Sequence, residues 1–362
     1  VRLPPFTLVG PLAGADGYGH SAEQLVLAAR DLGADVAFVV HDWNQPEHSS
    51  PEFLALQKPT SEVAERPLSV VYFLPFAFTR PEFRSKVTVG MTMFETDAIP
   101  PFWVGPCNAT DGLIVPSQHC ADAFERGGVK VPIKVAPLGV DTAFYTPERE
   151  KGYGAEFWFL MAGLLHYRKG VEYAIRAFRE EFDRDEPVRL WLKTRNGHLD
   201  TGGESVDDPR ISVIDQDYTR DQMRQTYRDA DCFIACSRGE ASGLTPREAM
   251  ACGTPVILTD WGGLHELADP DHCYVTGIDG LEPAPLECSS YSAGVAGRQP
   301  IGSFCVPSVS ELRAAMRKAA SDRTANGAMG TRAAIAMDRW SWPRCASKWL
   351  AAISELWEKA SK

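Results

Sequence analysis

Between two short apolar runs the chain reads Ser237-Arg238-Gly239-Glu240-Ala241-Ser242-Gly243-Leu244-Thr245-Pro246-Arg247-Glu248-Ala249-Met250. An acid stands on each side of a glycine turn, at Glu240 and Glu248. Thr245, then Pro246, then Glu248 three residues after the threonine have the pattern of an N-cap, a proline at the first helical position and a capping box. The N–H groups of Gly243, Leu244 and Thr245 are therefore predicted to project from a helix N-terminus. Unpaired donors at the positive end of a helix dipole suit an anion, a diphosphate above all. A carboxylate beside a phosphate repels it unless it serves hydroxyl groups of the same ligand, meaning ribose or sugar. Glu248 taken alone is equally well explained by the capping box; two glutamates flanking one turn favour the polyol.

A second polar segment, Gly163-Leu164-Leu165-His166-Tyr167-Arg168-Lys169-Gly170, also follows an apolar run. Two cations at a helix start face the repelling end of the dipole, so a bound phosphate is the better reason for Arg168 and Lys169 than chance exposure. Nearer the beginning, Gly14-Ala15-Asp16-Gly17-Tyr18-Gly19-His20 reads as a glycine loop, and Ser21-Ala22-Glu23-Gln24 behind it as a capping box. Glu95 and Asp97 fall in a loop after another apolar run. Asp215-Gln216-Asp217-Tyr218 precedes a capping box from Thr219 to Gln222.

These segments need a scaffold, and the apolar pattern supplies one. Runs at Phe6 to Gly10, Val36 to Val40, Val70 to Leu74, Lys86 to Met91, Leu113 to Val115 and Lys134 to Ala136 alternate with helical periodicity. A second series follows at Phe157 to Ala162, Arg189 to Lys193, Ile211 to Ile214, Asp231 to Cys236 and Pro255 to Thr259. Alternation of this kind predicts parallel strands joined by crossover helices, here twice over: an α/β chain of two Rossmann-like, doubly wound domains facing a central cleft. The polar stretch between Thr142 and Gly152 marks the linker, giving domains at 1–147 and 153–340. Residues 341–362 form a C-terminal helix whose tryptophans dock it toward the first domain. From Asp269 to Pro307 the periodicity fades, which predicts a long surface excursion.

At 362 residues the chain exceeds what one core usually holds. A net charge of -11 leaves no basic surplus to follow a nucleic-acid backbone. The nine cysteines show no tight zinc-ligand spacing, so no metal is assigned and reduced thiols are expected. Cys232 and Cys236 read as buried strand residues. No apolar stretch is long enough to span a bilayer and the beginning lacks a charged-then-apolar leader, so a cytoplasmic location is expected, with room for peripheral membrane contact.

The frame E-x-x-G-L-x-x-x-E-A-M-A-C-G-x-P-V built on Glu240 and Glu248, an E-x7-E motif, resembles the retaining glycosyltransferases of family 4, which have the two-domain GT-B fold. The resemblance extends through Val115-Pro116-Ser117, Val135 to Asp141, Arg168-Lys169-Gly170, Ala230-Asp231 and Trp342. It implies that Glu240 contacts the donor sugar and Glu248 the nucleotide ribose, with the backbone of Ser242, Gly243 and Leu244, and the helix start at Thr245, holding sugar and diphosphate. Ser242 stands where a bulky aromatic is common. Lys169 matches the family's diphosphate lysine. Leu164 replaces its usual arginine, so Arg168 inherits the guanidinium role. The resemblance also implies Gly17, Gly19 and His20 as an acceptor-side loop and Glu95 at the reacting centre, in a part of the domain where other members carry a histidine. Asp217 and Tyr218 are the candidates for base recognition. The implied function is metal-independent transfer of a hexose from a UDP- or GDP-linked sugar to an acceptor hydroxyl, with retention and with no further cofactor. A sugar-nucleotide epimerase on the same plan and a non-catalytic sugar-binding protein are the alternatives.

Overall fold

The computed structural model describes residues 3–13, 17–147, 154–285 and 301–362. The chain forms two compact units, Val1–Gly139 with Arg339–Lys362, and Val140–Asp338.

In the first unit six parallel strands, β1 (Phe6–Ala13), β2 (Val36–Gln45), β3 (Leu68–Tyr72), β4 (Val87–Met91), β5 (Gly112–Val115) and β6 (Ile133–Val135), lie in the order β2-β1-β3-β4-β5-β6. Every residue of β3, β4 and β5 is buried, as befits central strands covered on both faces. The helices are α1 (Gly17–Asp31), α2 (Pro51–Leu54), α3 (Glu62–Glu65), α4 (Pro101–Asn108) and α5 (Gln118–Gly127). Ser117 caps α5 by accepting from Cys120 N at 3.3 Å.

The start of α1 corrects the sequence reading. The predicted capping box at Ser21 does not form, because the helix already begins at Gly17. Ser21 Oγ bonds back to Gly17 O at 2.5 Å and meets Tyr72 Oη at 2.7 Å. Tyr18, stacked on Tyr72 with centroids 5.0 Å apart, anchors the added turn in the core. Burial of these rings outweighs the weak helix propensity of Gly17 and Gly19.

The second unit repeats the plan. Strands β7 (Phe157–Ala162), β8 (Val188–Thr194), β9 (Ile211–Asp215), β10 (Cys232–Ala235), β11 (Val256–Thr259) and β12 (Tyr274–Thr276) form a parallel sheet in the order β12-β11-β10-β7-β8-β9. Its helices are α6 (Val171–Glu181), α7 (Arg220–Asp229), α8 (Leu244–Ala251), α9 (Val309–Ser321) and α10 (Arg323–Ala336). The chain winds outward from β7 in both directions, so the order reverses between β7 and β10, where such sheets open a crevice beyond the carboxyl ends of their strands. The expected excursion at 269–307 holds two features the pattern did not predict, among its described residues: β12, and an antiparallel hairpin of β13 (Ile278–Pro283) and β14 (Ser303–Pro307).

The last helix, α11 (Trp342–Ala360), belongs to the first unit and packs on α1 and β4. Trp349 is fully buried there, edge-on to Phe6 at 5.7 Å. Both Cys232 and Cys236 are buried. Among the described residues no helix is long and apolar enough to cross a membrane.

Candidate active site

The two loops at the switch point are pressed together. After β7 the chain turns through Tyr167–Lys169 in a single 3-10 turn and enters α6 by Gly170, whose φ of 70° few other residues adopt. A Cβ at Gly170 would lie 2.4 Å from Cys236 O, so the glycine also permits the loop to seat on the end of β10. Arg238 N donates to Arg168 O at 2.8 Å and fixes the register of the two loops.

This seating brings Arg168 and Lys169 onto Glu240. Lys169 Nζ lies 2.5 Å from Glu240 Oε1 and Arg168 Nη1 2.9 Å from Oε2, with all three side chains between 11% and 14% exposed. Ser237 Oγ adds a bond to Oε1 at 3.2 Å, and Arg168 Nη1 also donates to Gly239 O at 2.6 Å. Burial pushes the Glu240 carboxyl up, but the two cations outweigh it and hold the group well below the usual carboxylate range. Beside them, burial and the same two cations push His166 down to about 3, so its ring is neutral.

Helix α8 corrects the expected cap. It begins one residue before Thr245, with Gly243 as N-cap at φ 75° and no side-chain capping bond. The predicted capping box between Thr245 and Glu248 is absent. Pro246 sits at the third helical position, where a missing N–H is as harmless as at the first. Glycine is required at 243 on two grounds, since a Cβ would also approach Leu264 Cδ2 to 2.6 Å. The first helical N–H groups, those of Leu244 and Thr245, have no acceptor within the helix. Ser242 is buried at the start of this turn, and Lys169, Glu240, Thr245 and Pro246 line one recess.

Released from capping, Glu248 is bound elsewhere. Its Oε2 accepts from Tyr227 Oη at 2.7 Å, with the Tyr145 hydroxyl also in bonding reach. Burial pushes its carboxyl from 4.5 up to about 7, against the pull of Tyr227 and Arg220. Arg220 itself is paired with Asp141 at 2.8 Å and lies over the Phe144 ring. Glu240 and Glu248 therefore belong to two different polar clusters.

Beyond β9, α7 opens on the capping box predicted from Thr219 and Gln222, with bonds of 2.8 and 3.2 Å. Asp217 is exposed and 3.6 Å from Arg195. Tyr218 lies under Lys193 Nζ at 4.3 Å. Lys193, buried in β8, donates to Gln216 O at 2.6 Å and Thr194 O at 2.8 Å, and so ties down the loop carrying Asp217 and Tyr218. The sequence reading passed over it because it ends an apolar run.

In the first unit, Glu95 is half-buried in a loop whose backbone α5 clamps. Cys120 Sγ donates to Phe94 O at 3.2 Å, His119 Nε2 meets Thr96 O at 3.1 Å and Arg126 Nη2 donates to Asp97 O at 2.8 Å. Gly17, Gly19 and His20, expected in a glycine loop, instead form the first turn of α1. Residues 14–16 lie outside the described residues. The His20 ring faces Trp342 at 6.0 Å.

Arg238 is a further residue the sequence reading missed. Buried between the rings of Tyr167 and Tyr173, it pairs with Glu172 and, at 2.8 Å, with Glu282 of β13. Tyr167 Oη also donates to Glu282 at 2.8 Å. The hairpin is thereby bound to the basic loop. No local pattern signals this, since the partners lie up to 115 positions apart.

Residues 156–281 match the family described as glycosyl transferases group 1. Mannosylfructose-phosphate synthase of Agrobacterium fabrum is 32% identical over 151 residues, covering 34% of this chain and 32% of the relative. A D-inositol 3-phosphate glycosyltransferase of Corynebacterium jeikeium is 27% identical over 198 residues, covering 49% and 47%. The matched stretch thus spans about a third to a half of the length of these relatives. Sucrose-phosphate synthase of Thermosynechococcus elongatus superposes with a TM-score of 0.71 at 17% identity, covering 98% of this chain and 100% of that one. Anabaena HepE in complex with UDP and glucose gives 0.71 at 15%, with the same coverage. The chain has the GT-B fold of two Rossmann-like units, and the match to the glycosyl transferases group 1 model falls within the second.

Proposed function

We propose that this protein is a retaining glycosyltransferase of family 4 that moves a hexose from a nucleoside diphosphate sugar to an acceptor hydroxyl. The observation that carries this reading is the buried grouping of Arg168, Lys169 and Glu240 at the β7/β10 switch point, beside the uncapped start of α8. A departing diphosphate needs positive charge where its own develops, and two cations with a helix N-terminus supply it. Glu240, held ionised between them, is placed for hydroxyls of the transferred sugar, and Glu248 with Tyr227 for the ribose. Asp217 and Tyr218 serve the base, Glu95 the reacting centre, and Gly17, Gly19 and His20 the acceptor side. The group 1 match and the named relatives support transfer; UDP and glucose in HepE make UDP-glucose the first donor to test.

In the proposed reaction the anomeric carbon loses its bond to the diphosphate oxygen and gains one to the acceptor oxygen on the same face. The acceptor proton passes to the leaving phosphate. Since Arg168 and Lys169 neutralise the diphosphate, chelator leaves activity intact in this scheme. A reducing, cytoplasmic compartment is part of this proposal.

The test is incubation with UDP- and GDP-linked hexoses, with and without sugar, sugar-phosphate and lipid acceptors, scoring free nucleotide and anomeric configuration. Slow donor hydrolysis alone and retained-configuration product with an acceptor are expected, undiminished by EDTA. An isomerised donor without release of nucleotide would make the protein an epimerase; binding without either product would make it a sugar-nucleotide binder.

A further inference from the structure

Arg247 is 1% exposed, among the largest fully buried side chains of the described chain. Burying a guanidinium is expensive, and the first turn of a helix is the unfavourable end of the dipole for a cation. Its place is explained by what it holds. Arg247 Nη1 donates to Ser242 O, to Ser242 Oγ at 2.8 Å and to Gly243 O at 3.1 Å. One nitrogen thus gathers two successive carbonyls and a hydroxyl.

A planar trans peptide points its C=O and N–H in opposite directions. With Ser242 O and Gly243 O both drawn onto Arg247, the N–H groups of Gly243 and Leu244 are turned away from it. Gly243 is left-handed and Leu244 is helical, the pairing of conformations in which successive N–H groups converge into an anion-binding nest. Ser242 supplies two of the three oxygens that Arg247 Nη1 meets.

We propose that Arg247 is a positioning residue that locks the Ser242–Gly243–Leu244 turn so that two backbone N–H groups stand ready for a phosphate of the donor, without touching the donor itself. This rests on the glycosyltransferase reading above. The locked turn needs no reordering when the diphosphate binds, and the buried charge behind it strengthens the donors' pull on an anion.

The test uses the full chain and compares Arg247→Met, Arg247→Lys and Ser242→Ala by calorimetry with UDP and by competition with uridine, alongside melting temperature and steady-state kinetics. Arg247→Met is expected to weaken UDP about tenfold and to lower turnover, as for a lost preorganised donor, while uridine affinity stays constant. Ser242→Ala should show the same selectivity at about threefold. If Arg247→Met does not fold, Arg247→Lys carries the test, since lysine keeps the charge but its shorter side chain holds the nitrogen back from the Ser242 and Gly243 oxygens, and the variant should lose UDP selectively. Equal losses for UDP and uridine, or no loss of UDP, would reduce Arg247 to a packing residue and overturn the proposal. Failure of the folded wild type to bind UDP or GDP would overturn the donor reading instead, which separates the two.

Discussion

Glu240 and Glu248 flank one glycine turn, yet the first is wedged between two cations while the second is sealed against a tyrosine. Lys169 and Arg168 approach Glu240 to 2.5 and 2.9 Å and keep it ionised. Tyr227 donates to Glu248 at 2.7 Å, and burial carries that carboxyl up to about 7. The lesson is that a motif of two identical side chains encodes two different chemical groups. The burial is comparable, and the partners decide the charge.

The largest effect that would break this contrast belongs to Glu240. Glu240→Gln leaves Arg168 and Lys169 buried without their counter-charge, and is expected to lower turnover about a hundredfold or more and stability by about 3 kcal/mol. The same variant should bind free UDP at least as tightly as wild type, because the diphosphate then takes over the carboxylate's place as counter-ion. Weaker UDP binding in this variant would mean that Glu240 does not compete for the cations.

Next in size is Lys169→Ala, expected to reduce kcat/KM by an amount worth about 2 to 4 kcal/mol if its ammonium meets the leaving diphosphate. Unchanged kinetics would confine Lys169 to holding Glu240.

The pH dependence of stability sharpens the comparison because the two signs are opposite. The folded pKa of Glu240 lies below its unfolded value, so its contribution is present above the ordinary glutamate range and is lost as pH falls through the folded value. That of Glu248 lies above, so its contribution is complete below 4.5 and is lost as pH rises through about 7. Glu248→Gln should therefore remove the decline in melting temperature between pH 5 and 8 while weakening UDP; a decline that persists would place its origin elsewhere.

The smallest effect distinguishes a real cap from an apparent one. Thr219→Ala should cost about 1 kcal/mol by chemical denaturation, since it removes half of a formed capping box. Thr245→Ala should change stability by less than about 0.5 kcal/mol, since Gly243 is the cap. Equal costs would restore the capping role that the structure denies to Thr245.

The sequence by itself determined the doubly repeated α/β plan, because alternation of buried apolar runs with helical periodicity is a local signal wherever strands are covered on both faces, as in β3, β4, β10 and β11. It also marked Glu240, Glu248, Arg168 and Lys169 as residues of chemical interest. Boundaries were legible where capping chemistry is local, as at Thr219, and failed where packing intervened: Tyr18 draws helix into the Gly17–Gly19 segment, and Gly243 starts α8 ahead of Thr245. Only the tertiary structure decided which groups share a site. Glu240 meets Lys169, 71 positions away, Glu248 a tyrosine 21 positions away and Arg238 the hairpin at Glu282, 44 positions on. Charge state follows from such neighbours and from exclusion of water, and neither is a property of the nearby sequence.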